Sequence, residues 1–184
     1  MFKLNRRTVA AAVTAAAAVA GSASWAAATA SAATGQPAAE GAPTLITRCA
    51  ADDVAVWLNS SSAKRSGGTI NYHLDFTNTS NHYCHLYSWP GVAAMSSADK
   101  QLGPAAERNS SVAATYVNIA PGATAHAQFG YAAGLVTRAC KPVLATHLNV
   151  FPPDDNGSRA AFFAASVCTK SVKDLVIGRV QSGT

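Results

Sequence analysis

Charge is scarce in this chain. Only 12% of its 184 residues are Asp, Glu, Lys or Arg, and Glu occurs just twice, at Glu40 and Glu107. A paired-carboxylate glycosidase would therefore have to work with Asp alone. The Gly-x-Ser-x-Gly string is absent, which removes the nucleophile elbow of the α/β-hydrolases. No two cysteines stand in the C-x₂₋₄-C spacing of structural zinc. Lys64-Arg65 is the densest basic pair of the domain, and beside Gly67-Gly68 it reads as a solvated turn. Nucleic-acid binding needs a concentrated basic face, so no nucleic-acid partner is expected. A membrane span needs ~20 consecutive apolar residues, and the longest such run, Val9 to Ala20, is mostly Ala and breaks at Gly21, Ser22 and Ser24. There is no long amphipathic helix, no internal repeat and no sign of a second domain.

The N-terminus carries a clear pattern. Lys3, Arg6 and Arg7 precede the Ala-rich run, and Ala30-Ser31-Ala32 offers small residues at its exit. Charge, apolar run and small-residue exit are the layout of a secretory signal peptide, assigned to residues 1–32. Arg6-Arg7 leaves the general and the twin-arginine export routes both open. No Cys lies near the expected cut, so neither a lipid anchor nor any stable membrane anchor is expected after cleavage. The chain has 14 Lys+Arg against 9 Asp+Glu; without the three basic residues of the signal the balance is 11 against 9. The mature protein is thus nearly neutral, secreted and extracellular. Residues 33–44, rich in Ala, Gly and Pro, have nothing to bury and read as a flexible tail. Residues 45–184 are long enough for one domain with its own core.

Four cysteines follow: Cys49, Cys84, Cys140 and Cys168. An even count in an exported chain reads as two disulfides. Three pairings exist, and the one joining chain neighbours, Cys49–Cys84 with Cys140–Cys168, is preferred. Each would close a loop worth about 3.5–4 kcal/mol by chain entropy.

Strand patterns recur. In Thr69 to Thr77, Ile70, Tyr72, Leu74 and Phe76 alternate with Asn71, His73, Asp75 and Thr77. This period of two marks one buried and one wet face. Ala123 to Tyr131 repeats it, with Ala123, Ala125, Ala127, Phe129 and Tyr131 inward. Val54, Val56 and Leu58 mark an earlier strand. Further strands are expected in Ala113 to Ile119, Thr146 to Phe151, Ala160 to Val167 and Val172 to Val180. Turn chemistry separates them at Ser66-Gly67-Gly68, Pro90-Gly91, Pro121-Gly122 and Asp154-Asp155-Asn156-Gly157. Short strands at this spacing predict an all-β, antiparallel β-sandwich.

Several strings carry a family resemblance. Asn78-Thr79-Ser80, Cys84-His85-Leu86 and Trp89-Pro90-Gly91-Val92 are similar to the N-x-S … C-x-L-x-G-Y-P-G-V segment of the domain-of-unknown-function 4232 family. Arg48-Cys49, Leu102-Gly103, Ile119-Ala120-Pro121-Gly122 and the late pair Cys140 and Cys168 follow the same order. The resemblance spans about Leu45 to Val180. The family consists of secreted or lipid-anchored proteins, mostly of actinomycetes. It implies an immunoglobulin-like sandwich of unassigned function and carries over no catalytic residue. The chain departs from the pattern at Ser88-Trp89, where the family more often has Gly-Tyr.

Candidate chemistry is sparse. His82, Cys84 and His85 stand close in sequence, but residues three apart on a strand face opposite ways, and Cys84 is expected in a disulfide. His73 and Asp75 share one strand face, as a base and its orienter would, yet a wet sheet face explains them equally. Asp154 to Ser158 lacks the alternating oxygens and closing Glu of a calcium loop. The Asn-x-Ser/Thr triplets at Asn59, Asn78, Asn109 and Asn156 matter only in a glycosylating host. The aromatic segment is the richest: Tyr83, Tyr87 and Trp89 with His82 and His85. Cys84 is expected to pin the end of the Tyr72 to Asn78 strand to the domain's start, and Trp89 to cover the sandwich end. Aromatics with polar tips also suit contact with a partner. The sequence thus reads as a non-enzymatic, extracellular or cell-wall-proximal binding module with no cofactor. Its partner would be an extracellular protein or a cell-wall carbohydrate, met at His82, Tyr83, His85, Tyr87 and Trp89. The alternative is a secreted hydrolase or metal-binding protein centred on His82 to His85.

Overall fold

The computed structural model describes residues 45–170 and 172–183. The signal peptide expected at residues 1–32 and the tail expected at residues 33–44 lie outside the described residues.

Period-two patterning builds the largest sheet. Strand β2 (Val54–Ser66) runs antiparallel to β3 (Thr69–Asn78), which pairs antiparallel with β8 (Thr124–Tyr131), and β8 with β11 (Leu175–Ser182). The short β6 (Glu107–Arg108) adds a parallel edge to β11. Register places Leu74 between Leu58 and Ala127, and Phe76 between Val56 and Ala125. These positions point inward because alternate side chains of a strand share a face. Leu74, Phe76, Ala125, Ala127 and Phe129 are all buried. Ala123 departs from the expected inward set. It is exposed, and its N–H closes the Pro121-Gly122 turn on Ala120 O before β8 begins.

Two three-stranded sheets complete the molecule. In one, β9 (Pro142–Phe151) lies between β10 (Arg159–Cys168) and β5 (Gly91–Met95), both antiparallel to it. In the other, β4 (Cys84–Tyr87) lies between β1 (Thr47–Arg48), parallel to it, and β7 (Tyr116–Ile119), antiparallel. All three sheets feed one core, to which β2, β3, β4, β5, β7, β8, β9, β10 and β11 contribute buried side chains. Phe163 of β10 crosses this core to meet Phe129 and Tyr131 of β8 edge to face, at 5.6 and 5.5 Å. The chain is therefore an all-β, sandwich-like fold, compatible with the immunoglobulin-like arrangement.

Both preferred disulfides are present, Cys49–Cys84 with Cα atoms 4.9 Å apart and Cys140–Cys168 at 5.1 Å. Two expectations are corrected. Cys84 does not end the strand that finishes at Asn78; it opens β4 in another sheet, with residues 79–83 between. The reversal before β5 is not made by Pro90-Gly91. Ser88 takes the left-handed conformation (φ 85°), and Gly91 already belongs to β5.

Candidate functional site

Strand β4 alternates cleanly. Cys84 and Leu86 are fully buried, so His85 and Tyr87 must point outward. On β7, Val117 and Ile119 are buried while Tyr116 and Asn118 face solvent. Register sets Tyr87 directly opposite Tyr116 and His85 opposite Asn118. The two tyrosine rings stack at 4.5 Å with planes 30° apart, although both residues are exposed. His85 packs against Tyr116 edge to face at 5.1 Å. Its Nδ1 lies 3.0 Å from Ile46 O. A carbonyl only accepts, so Nδ1 carries the proton of this bond.

The chain entering β1 adds apolar surface beside this row. Leu45, Ile46, Thr47, His82 and Tyr83 line an open groove of about 670 Å³, and Leu45 and Tyr83 are both exposed. His82 Nε2 stands 4.0 Å from the Asp53 carboxylate. The five expected surface residues are thus divided: His85 and Tyr87 join Tyr116, whereas His82 and Tyr83 line the groove. Trp89 belongs to neither group. It is half-buried, and its indole N–H donates to Asn109 O at 2.8 Å. Tyr116 escaped the sequence reading, although its alternation with Val117 and Ile119 carried the signal.

Buried polar bonding holds the loop before β4. Asn78 is fully buried, and its amide donates to His82 O at 2.8 Å and Ile119 O at 2.9 Å. Its side-chain oxygen accepts from both N–H and O–H of Ser80. This is the physical content of the Asn-x-Ser string: the Asn ties the loop to β7, and the Ser completes a local turn. Leu102-Gly103 has a comparable basis. Leu102 is buried, and a Cβ on Gly103 (φ 67°) would stand 2.1 Å from Cys168 O.

A second cluster occupies the outer face of the five-stranded sheet. His73 of β3 and His126 of β8 stack at 4.2 Å, their planes 15° apart. Asp75 lies directly opposite His126 across the ladder and accepts from the Asn59 amide at 3.0 Å. Together with Thr124 and Gly183 these side chains line a polar depression of about 390 Å³. Burial holds the His126 pKa below its ordinary value, the neighbouring His73 adds to this, and Asp75 opposes it.

The Asp154 to Gly157 stretch is the expected β9–β10 turn. Asp155 accepts from the N–H groups of Gly157 and Ala51 and so ties the turn to the start of the domain. Those bonds, the one from Gly157 first, hold its carboxyl pKa below the usual range. Among the described residues no group of three or more His, Cys, Asp or Glu side chains is placed to hold a metal ion, and no helix is long and apolar enough to cross a membrane.

Fold and surface together define a disulfide-stapled β-domain that presents stacked tyrosines on an exposed face. Residues 49–181 match the family model described as "Domain of unknown function (DUF4232)", and the chain belongs to that family. No curated protein and no solved structure matches it.

Proposed function

We propose that this chain is a secreted, non-enzymatic binding module whose contact face is the row His85, Tyr87 and Tyr116, extended by Tyr83. The observation that carries this reading is the Tyr87–Tyr116 stack, two large aromatic side chains kept at the surface by a strand register that buries their neighbours. Tyrosine offers a broad apolar body with a polar tip at low entropy cost, which suits recognition. One face of each ring is occupied by the other, which leaves less flat aromatic surface for a ligand to lie on. That geometry favours a protein surface over a flat sugar ring. Export follows from the signal-like N-terminus, and two disulfides fit an oxidising compartment.

The test is a binding comparison between the wild type and the Tyr87→Ala/Tyr116→Ala double variant. Secreted proteins from the source culture and purified cell wall serve as separate baits. Capture of a defined secreted protein by the wild type and not by the variant supports the reading. Retention on cell wall alone would shift the partner to a polymer. Equal behaviour of both proteins on both baits would reject the face.

A further inference from the structure

We propose that the end of the sandwich around the Cys140–Cys168 disulfide is a docking surface for an anionic lipid bilayer. Two short 3-10 turns, Ala133–Leu135 and Arg138–Cys140, connect β8 to β9 there. Ala133 and Val136 pack against the core and Cys140 is buried, while Leu135 and Arg138 stay exposed. The disulfide fixes this connection to the end of β10, and Leu135 O lies 3.8 Å from Cys168 Sγ. Register then sets Val143 opposite Val167 and Leu144 opposite Ser166. Leu135, Val143 and Leu144 are 52%, 42% and 59% exposed. A single exposed aliphatic residue needs no explanation, but a group of them at one end of a domain marks a contact surface.

Charge chooses the partner. Arg138 and Lys141 flank this cysteine pair, and Lys170 follows Thr169, whose hydroxyl donates to Lys141 O at 2.8 Å. All three cations are exposed, and none is in an ion pair among the described residues. The β2–β3 hairpin brings two more. Gly134 N–H donates to Gly68 O at 2.9 Å, which docks the hairpin tip here, and Lys64 and Arg65 are exposed beside it. No Asp or Glu occurs from residue 108 to 153 or from 156 to 173. Asp174 is buried and accepts the Cys168 N–H, and Glu107 is paired with Lys173. Aliphatic side chains set among uncompensated cations fit a bilayer: the cations meet anionic headgroups and the aliphatic groups enter the boundary beneath. A polyanion in solution would use the cations and leave Leu135 and Leu144 idle. The loop held by Asn78 adjoins the other end of β3, about 30 Å away at 3.3 Å per residue. A docked molecule therefore turns Tyr83 away from the bilayer.

The experiment sediments the secreted protein, disulfides intact, with vesicles of phosphatidylglycerol and phosphatidylcholine in equal parts, and with vesicles of phosphatidylcholine alone, at about 0.1 M salt. The wild type is expected to bind the mixed vesicles and not the neutral ones. Arg138→Gln/Lys141→Gln/Lys170→Gln should weaken that binding about a hundredfold, at roughly fivefold for each basic residue lost near an anionic surface. Leu135→Ala/Leu144→Ala should weaken it by about tenfold through lost apolar burial. Arg179→Gln, a basic residue of β11 bonded to Thr115, should leave it unchanged. No binding by the wild type, or equal binding to both kinds of vesicle, would overturn the proposal. A loss in the triple variant with none in the leucine variant would also overturn it, and would assign the cations to a soluble polyanion. Should the triple variant fail to fold, the salt dependence of the wild type decides. Headgroup attraction is screened by salt, so binding unchanged between about 0.05 and 0.5 M would overturn the surface.

Discussion

Phe129 of β8 and Phe163 of β10 meet edge to face, with ring centroids 5.6 Å apart, and so join two sheets whose strands are not paired with each other. Both side chains are buried, at 0% and 4% exposure. Truncating either removes a large apolar group and leaves a cavity. Phe163→Ala is expected to cost about 3–5 kcal/mol of stability. Urea unfolding with the disulfides intact would measure it. A loss below about 1 kcal/mol would show that the sheets close over the gap.

Ser88 sits at φ 85°, a conformation that L-residues with a Cβ adopt at a cost of about 1–2 kcal/mol. This is also where the family more often carries Gly. Ser88→Gly should therefore stabilise the domain by about 0.5–1 kcal/mol after the extra entropy of an unfolded glycine is subtracted. A shift of the unfolding midpoint checks it. Ser88 O accepts the Val180 N–H at 2.9 Å, and this bond survives the change because it uses only backbone.

Asn78 offers the opposite case. Its side chain satisfies two carbonyls and two groups of Ser80 from a fully buried position. Each buried partner left unpaired costs about 1–3 kcal/mol. Asn78→Ala should lose at least about 2 kcal/mol on that scale. It should also speed hydrogen exchange in residues 80–83, the loop that presents Tyr83. Exchange unchanged there would mean that backbone bonds alone hold the loop.

Asp155 supplies the pH dependence. Its folded pKa lies below the unfolded value, so its contribution is fully present above the ordinary carboxylate range. It is lost as pH falls through the folded pKa, when the N–H groups of Gly157 and Ala51 lose their charged acceptor. Asp155→Ala should be less stable than the wild type at pH 7, and the gap should narrow as the pH falls below the ordinary carboxylate range. A gap independent of pH would assign the loss to packing.

The long strands were legible because their alternation is strong. Leu74 and Phe76, or Ala125 to Tyr131, declare a buried face without any tertiary knowledge, and neighbour pairing of the cysteines proved right. The short elements were not legible. β1 and β6 are two residues each and exist only through parallel neighbours distant in sequence. β5 begins at the Gly of a Pro-Gly pair that reads as a turn. The contact face was half visible for the same reason. Tyr87 declares itself beside His85, but its stacking partner Tyr116 lies 29 positions along the chain, and only register brings the rings together. Trp89 looked like its companions in composition. Its indole bond to the Asn109 carbonyl, which no pattern announces, takes it away from them.

The union of β1 with β4 has a mechanical consequence. The chain enters the domain at Thr47–Arg48 parallel to β4, Cys49 N–H bonds His85 O at 2.9 Å, and Cys49 is then joined covalently to Cys84. Tension applied ahead of Thr47 peels two residues and then meets a covalent stop, so a pulled molecule in oxidising conditions would keep β4 and its tyrosines in place. Under reduction the same pull has no such stop, and the domain would yield from its entry point first.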